Sequence, residues 1–210
     1  MTTGKTFVSK HPLLQDKIGR LRHKGTHPAD FRRLVGEITM LLGYEVLCDL
    51  KLDKADVQTP LGIWQGGKAA QEITIVSILR AGLGMAEGFM KLEPTARCAH
   101  IGVYRNEDTL EPVRYYARFP ANIDKHYVVL ADPMLATGGS AVEAIDILKN
   151  QGAKGIVFAC IIAAKDGVSH VHKIHPDVPI YIGSLDEKLS DKGYILPGLG
   201  DAGDRMFGTV

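Results

Sequence analysis

Five apolar, β-prone runs recur along the chain: ITIVSIL (73–79), CAHIGVY (98–104), YVVLA (127–131), IVFACIIAA (156–164) and PIYIGSL (179–185). Helical stretches lie between most of them. One covers 139–150, where Ala141, Val142, Ala144, Ile145 and Leu148 form an apolar face and Gly152 stands where a helix would stop. Strands that are apolar throughout must be covered on both faces, and their alternation with helices predicts an α/β fold with a mostly parallel central sheet. Ligands of such sheets bind beyond the carboxyl ends of the strands. The loops after Leu79, Tyr104 and Ala131 are therefore where chemistry is expected.

The flanks of this alternation read differently. Phe31, Leu34, Val35, Ile38, Leu41, Leu42 and Val46 recur with the period of a helix that buries one stripe, and a shorter helix is expected after Pro12. Residues 53–72 carry turn formers and short apolar runs, the pattern of a hairpin or arm leaving the main body. With 210 residues, no internal repeat and no linker, the chain is expected to form one domain, 1–210.

Composition removes several classes of function. Lys and Arg number 25 against 24 Asp and Glu, so no global positive field is available to hold nucleic acid. No apolar run approaches the roughly 18 residues that a membrane span needs. The opening MTTGKTFVSKHPLL lacks the layout of a signal peptide, so a cytoplasmic protein is expected. Cys48, Cys98 and Cys160 are odd in number and widely spaced, which favours reduced, mostly buried thiols over a disulfide framework or zinc site.

Several nucleotide-like patterns compete. Gly62 to Lys68 begins like a P-loop, but Ala69 stands where a magnesium-binding hydroxyl belongs. Gly82, Gly84 and Gly88 follow a strand, as in a dinucleotide-binding turn, yet the last spacing is one residue too long. His170, His172 and His175 are close in sequence, but on a helix the first two diverge by about 200°. A surface helix accounts for them better than a metal site.

The most informative segment is HYVVLADPMLATGGSAVEAIDILKNQG (126–152), in which a strand delivers Asp132 and Thr137-Gly138-Gly139-Ser140 runs into a helix. Glycines permit close backbone approach, while hydroxyls and free N–H groups at a helix start can grip a phosphate. A carboxylate beside such a cradle suits a ribose diol or a ligand-borne metal. A capped strand-to-helix turn is the plainer alternative.

This stretch resembles the phosphoribosyl-diphosphate (PRPP) loop of type I phosphoribosyltransferases, which usually has two adjacent acidic residues where this chain has Asp132-Pro133. That departure is similar to the uracil phosphoribosyltransferase branch, as are ILRAGLGM (78–85), YRNEDTLEPV (104–113) and GYILPGLGDAGDRMFGT (193–209). The resemblance implies the type I fold with a β-arm near 53–72, N-terminal helices near 12–48 and a base-binding hood near 186–210. It assigns Arg80, Arg105, Asp132, Pro133, Met134, Leu135, Ala136, Thr137, Gly138, Gly139, Ser140 and Asp201 to PRPP. Ile195, Gly200, Asp201 and Ala202 fall to uracil, read mainly through backbone groups. Asp132, Arg105 and Asp201 are the expected catalytic residues, and Mg2+ is expected to arrive on PRPP. Residues 105–119 are expected to close as a flap, and Asp204 with Arg205 to act as a brace.

The implied reaction is transfer of the 5-phosphoribosyl group from PRPP to N1 of uracil, giving UMP and diphosphate. A homodimer or homotetramer and a GTP effector are further implications of the resemblance. The alternatives are a non-catalytic PRPP-binding regulator, a transferase for another nucleobase, and a nicotinamide oxidoreductase. Ten of the 23 glycines, including Gly82, Gly84 and Gly88, are expected where backbone approaches PRPP or uracil.

Overall fold

A computed structural model describes residues 4–105 and 112–209. Its elements run in order as β1 (Thr6–Val8), α1 (Pro12–Arg22), α2 (Pro28–Val46), β2 (Leu52–Thr59), β3 (Gly62–Ala69), β4 (Ile73–Leu79), α3 (Gly82–Leu92), β5 (Arg97–Arg105) and β6 (Pro112–Arg118). A short 3-10 turn, Ile123–Lys125, leads to β7 (Tyr127–Ala131), β8 (Met134–Leu135), α4 (Gly139–Asn150), β9 (Gly155–Ala164), α5 (Lys165–Ile174) and β10 (Ile180–Asp186). Two short strands, β11 (Lys188–Leu189) and β12 (Ile195–Leu196), precede α6 (Ala202–Phe207).

The main sheet has the order β1-β10-β9-β7-β4-β5-β6, with β8 added to β9. Every pairing is parallel except β5 with β6, as the apolar runs predicted. All but the edges are buried on both faces. Ile73 and Ile75 of β4 and Tyr127 and Val129 of β7 meet α1, α2, α3 and α6 in one core. Val76, Ile78, Val128 and Leu130 meet α4 and α5 in the other. The chain leaves β4 in one direction through α3 and leaves β7 in the other through α4, on opposite faces. The order of strands therefore reverses between β4 and β7, which opens a crevice at their carboxyl ends.

Local chemistry fixes the boundaries. Pro12 and Pro28 occupy the first turns of α1 and α2, where a missing N–H is harmless, and His27 Nδ1 accepts from the Ala29 N–H at 3.2 Å. The arm is a two-stranded hairpin, β2 with β3, and the P-loop-like segment lies within it.

Four expectations fail. Residues 112–118, read as part of a flap, form the antiparallel edge strand β6, because VRYYAR is β-prone and finds β5 to pair with; residues 106–111 lie outside the described residues. Gly84 and Gly88 serve packing instead of ligand approach. A Cβ at Gly88 would lie 2.8 Å from the Gly36 carbonyl oxygen, so α2 and α3 touch backbone to backbone there. Of the cysteines only Cys160 is buried: Cys48 lies in the turn after α2, and Cys98 precedes the part of β5 that β6 covers. His175 also departs from the surface-helix reading, since it ends α5 and turns in against α4, with Lys149 Nζ donating to its Nδ1 at 3.3 Å.

The C-terminal hood is fastened at one point above all. Arg22, at the end of α1, donates from Nη1 to Asp186 Oδ2 (2.7 Å) and the Gly198 carbonyl (2.8 Å), and from Nη2 to Asp186 Oδ1 (2.6 Å) and Ser184 Oγ (3.0 Å). Asp186 Oδ2 accepts from the Gly198 N–H at 3.0 Å. Removing one member of such a shielded pair strands the other, which typically costs about 3–5 kcal/mol. Arg22→Met is expected to lose stability in that range by urea unfolding, and Arg22→Met/Asp186→Leu to recover part of it.

Candidate active site

The parallel register brings the ends of β4, β5 and β7 side by side. Ser77 pairs with Ala131, so Asp132 leaves β7 opposite Ile78, two residues before Arg80 leaves the adjacent β4, while Leu79 pairs with Gly102 on β5. Between them lies a cleft of about 450 Å3, whose walls include Arg80, Ala81, Tyr115, Asp132, Ser140 and Asp201.

Asp132 is held at its base. Its N–H donates to the Ala159 carbonyl at 3.2 Å, and its Oδ1 accepts from the Met134 N–H at 3.3 Å. Burial pushes the carboxyl up to about 7, and the nearby negative charge of Asp201 adds to the rise, against the pull of the Met134 N–H. An acid so placed gains from any ligand that brings hydroxyl donors or positive charge.

The loop after Asp132 is tied into the sheet. The Pro133 carbonyl accepts from the N–H groups of Ile161 (3.2 Å) and Ile162 (3.0 Å), and β8 continues alongside β9. Leu135 is fully buried, and Met134 and Ala136 pack against the α2-side core, so these side chains anchor the loop. From α5, His170 Nδ1–H donates to the Thr137 carbonyl at 2.8 Å. Gly138 then turns the chain at φ 87°, a left-handed conformation that favours glycine, and a Cβ there would meet the Gly167 carbonyl oxygen at 2.9 Å. The first amide to close a helical bond in α4 is Val142, to Gly138 at 2.9 Å, which leaves the N–H groups of Gly139 and Ser140 facing the N-terminal pole. Ser140 stands in the cleft wall.

On the opposite wall Arg80 is half-exposed. Its Nη2 lies 3.2 Å from Asp204 Oδ1, and its guanidinium carbon lies 5.9 Å from the Phe207 ring centroid. Asp201 caps α6, accepting the Asp204 N–H on Oδ1 at 2.9 Å. A Cβ at Gly203 would sit 3.3 Å from that Oδ1 and 3.8 Å from Arg80 Nη2, so both groups flank this glycine. Asp204, expected as a brace, accepts on Oδ1 from Thr209 Oγ1 at 2.6 Å as well as facing Arg80; its neighbour Arg205 donates to the carbonyls of Leu199 (2.7 Å) and His23 (2.6 Å), and its guanidinium carbon lies 4.7 Å from the Phe31 ring centroid.

The sequence-derived set is thus divided. Arg80, Asp132, Ser140 and Asp201 meet at the cleft, and Pro133 to Gly139 form the pinned loop that joins Asp132 to Ser140 without themselves standing in the cleft wall. Ile195 and Ala202 are buried in the α2-side core and Gly200 is exposed, so only Asp201 of the four base-binding candidates lines the cleft. The Arg105 side chain lies outside the described residues. Tyr115 was missed, because its place in the wall depends on an edge strand that the flap reading hid. Arg22 and Asp186 were missed because 164 residues separate the two halves of the pair.

Among the described residues, no three His, Cys, Asp or Glu side chains are gathered to hold a metal. Asp132 at the base of the cleft and Asp201 on its exposed side are nonetheless two carboxyl groups on one cleft, a donor pair suited to a cation carried in on a ligand. No helix among the described residues is long and apolar enough to cross a membrane.

Known proteins share this arrangement. The uracil phosphoribosyltransferase family model matches residues 8–209. A uracil phosphoribosyltransferase of Streptococcus equi subsp. zooepidemicus is 54% identical over 207 residues, covering 98% of this chain and 99% of the relative. That of Bacillus licheniformis is 51% identical over the same length and coverage. A solved protein from Aquifex aeolicus superposes with a TM-score of 0.91 at 37% identity, covering 96% of this chain and 97% of the other. A purine phosphoribosyltransferase from Pyrococcus horikoshii shares the fold at a TM-score of 0.51 and 19% identity, covering 73% of this chain and 84% of that one. With its sheet, its Asp132 loop and its C-terminal hood in this order, the chain belongs to the uracil phosphoribosyltransferase family.

Proposed function

We propose that the chain transfers the 5-phosphoribosyl group of PRPP to N1 of uracil. The observation that carries this reading is the convergence of Asp132, the start of α4, Arg80 and Asp201 on one cleft. The N-terminal pole of α4, with Ser140, holds the 5-phosphate, and ionised Asp132 accepts from the ribose hydroxyls. Arg80, assisted by Arg105, takes the diphosphate side. Mg2+ carried by PRPP supplies positive charge to the departing diphosphate, and Asp132 and Asp201 are the residues that would hold it.

In the reaction the bond from C1 of the ribose to the diphosphate oxygen breaks and a bond to uracil N1 forms. The N1 proton leaves, and the electron pair of the broken bond goes to diphosphate. Nothing in this step needs a protein nucleophile; positioning and electrostatics supply the catalysis. The base lies against the hood, where backbone donors and acceptors of 195–202 match the carbonyl, N–H, carbonyl edge of uracil and oppose the amino group of cytosine. Assembly into a homodimer or homotetramer and activation by GTP accompany this proposal, and sedimentation with and without GTP checks both.

Incubation with PRPP and Mg2+, offering uracil, cytosine or hypoxanthine in separate reactions, is expected to release diphosphate with uracil alone. Release with another base would redirect the proposal, and binding of PRPP without release under any condition would favour a regulator.

Asp132 has consequences that pH reveals. Its folded pKa of about 7 exceeds the ordinary 3.8, so the folded chain keeps a proton that the unfolded chain has lost, and stability falls as pH rises from about 4 to 7. Asp132→Asn is expected to lack that slope and, without ligand at pH 8, to be more stable than the wild type by about 1–3 kcal/mol in urea unfolding. The same variant is expected to lose at least about tenfold in kcat/KM for PRPP. The wild type is expected to show an acid limb with a midpoint near 7 in kcat/KM for PRPP, and Asp132→Asn to lack it.

Asp201 serves two purposes that substitutions can separate. Asp201→Asn keeps a side chain able to cap α6 and is expected to retain stability while weakening use of PRPP with Mg2+. Asp201→Ala is expected to lose, in addition, about 1 kcal/mol of stability.

A further inference from the structure

The pairing of β5 with β6 is regular from His100 with Arg118 to Gly102 with Tyr116, and regular again from Val103 with Arg114 onward. Tyr115 is the extra residue between the two registers. A bulge of this kind re-aims a side chain, and bulges gather beside active sites. Here the ring of Tyr115 is laid over Gly102, where a Cβ would come within 2.5 Å of its Cζ. Any larger residue at 102 would displace it. Gly102 pairs on its other side with Leu79, the residue before Arg80, and Tyr115 lines the same cleft as Arg80 and Asp132.

The strand order gives this position a meaning. Across β7, β4, β5 and β6, the 5-phosphate cradle stands at the β7 end and Tyr115 at the β6 end, with Arg80 between. Resting on the proposed transferase reading, we infer that the Tyr115 hydroxyl donates a hydrogen bond to the diphosphate of PRPP. A phenol is a neutral donor, and its bond to an oxyanion strengthens as negative charge accumulates on the leaving group. It adds stabilisation without further positive charge beside Arg80. The bulge and the bare Gly102 surface together set where that donor stands.

The test uses the full chain and magnesium diphosphate as the probe. In calorimetric titration Tyr115→Phe is expected to raise the Kd for magnesium diphosphate about tenfold, and in turnover to lower kcat by about 10- to 100-fold, with the KM for uracil unchanged. Gly102→Val keeps the hydroxyl but denies the ring its seat, and the same weakening of diphosphate binding is expected. A Tyr115→Phe variant that binds magnesium diphosphate as tightly as the wild type overturns the inference, whether or not Gly102→Val folds. Failure of the transferase reading would look different: the wild type itself would release no diphosphate from PRPP and uracil, while the titration would still decide the role of Tyr115.

Discussion

The reversal of strand order between β4 and β7 is the constraint on which everything else rests. Two neighbouring parallel strands send their crossover helices to opposite faces, so no helix covers the gap beyond their carboxyl ends. Parallel pairing then delivers Arg80 and Asp132 to the two sides of that gap with no need for side chains to find one another. The α4 pole follows β7 after a short loop, and the hood closes the remaining side. The site is a by-product of topology before it is a set of residues.

Much of this was legible in the sequence, and for a definite reason. Strands apolar on both faces announce themselves as unbroken runs, so β4 and β7 fall where ITIVSIL and YVVLA end. Asp132 stood out because a carboxylate at the end of such a run has no business in a core. Edge structure was harder to read. β6 has one paired side and mixed polarity, so PVRYYAR passes for a charged loop, and Tyr115 was lost with it. The hood was legible as a motif but not as a packing problem. Ala202 is assigned to the base by the motif, and its side chain packs in the α2-side core, a constraint the motif does not announce. Long-range polar pairs such as Arg22 with Asp186 leave no local trace.

Two kinds of cost are set against each other in the site. The Arg22 and Asp186 pair is shielded but fully satisfied, and it spends its hydrogen bonds on Gly198 and Ser184, so shielding is repaid by order in the hood. Asp132 is enclosed with, among the described residues, one N–H to support its carboxyl. The fold tolerates an acid that burial keeps protonated up to near neutrality, the kind of perturbed group that gathers at functional sites.

The pinned loop from Pro133 to Gly138 carries a thermodynamic consequence. A loop whose carbonyls already bond to Ile161, Ile162 and His170 has little conformational freedom left to surrender when an anion arrives. If the loop cradles a phosphate as proposed, the entropy of shaping it was settled when the chain folded, so contacts made there would register almost undiminished in the affinity. The same stiffness has a selective side: a loop that does not adapt admits ligands by matching their shape.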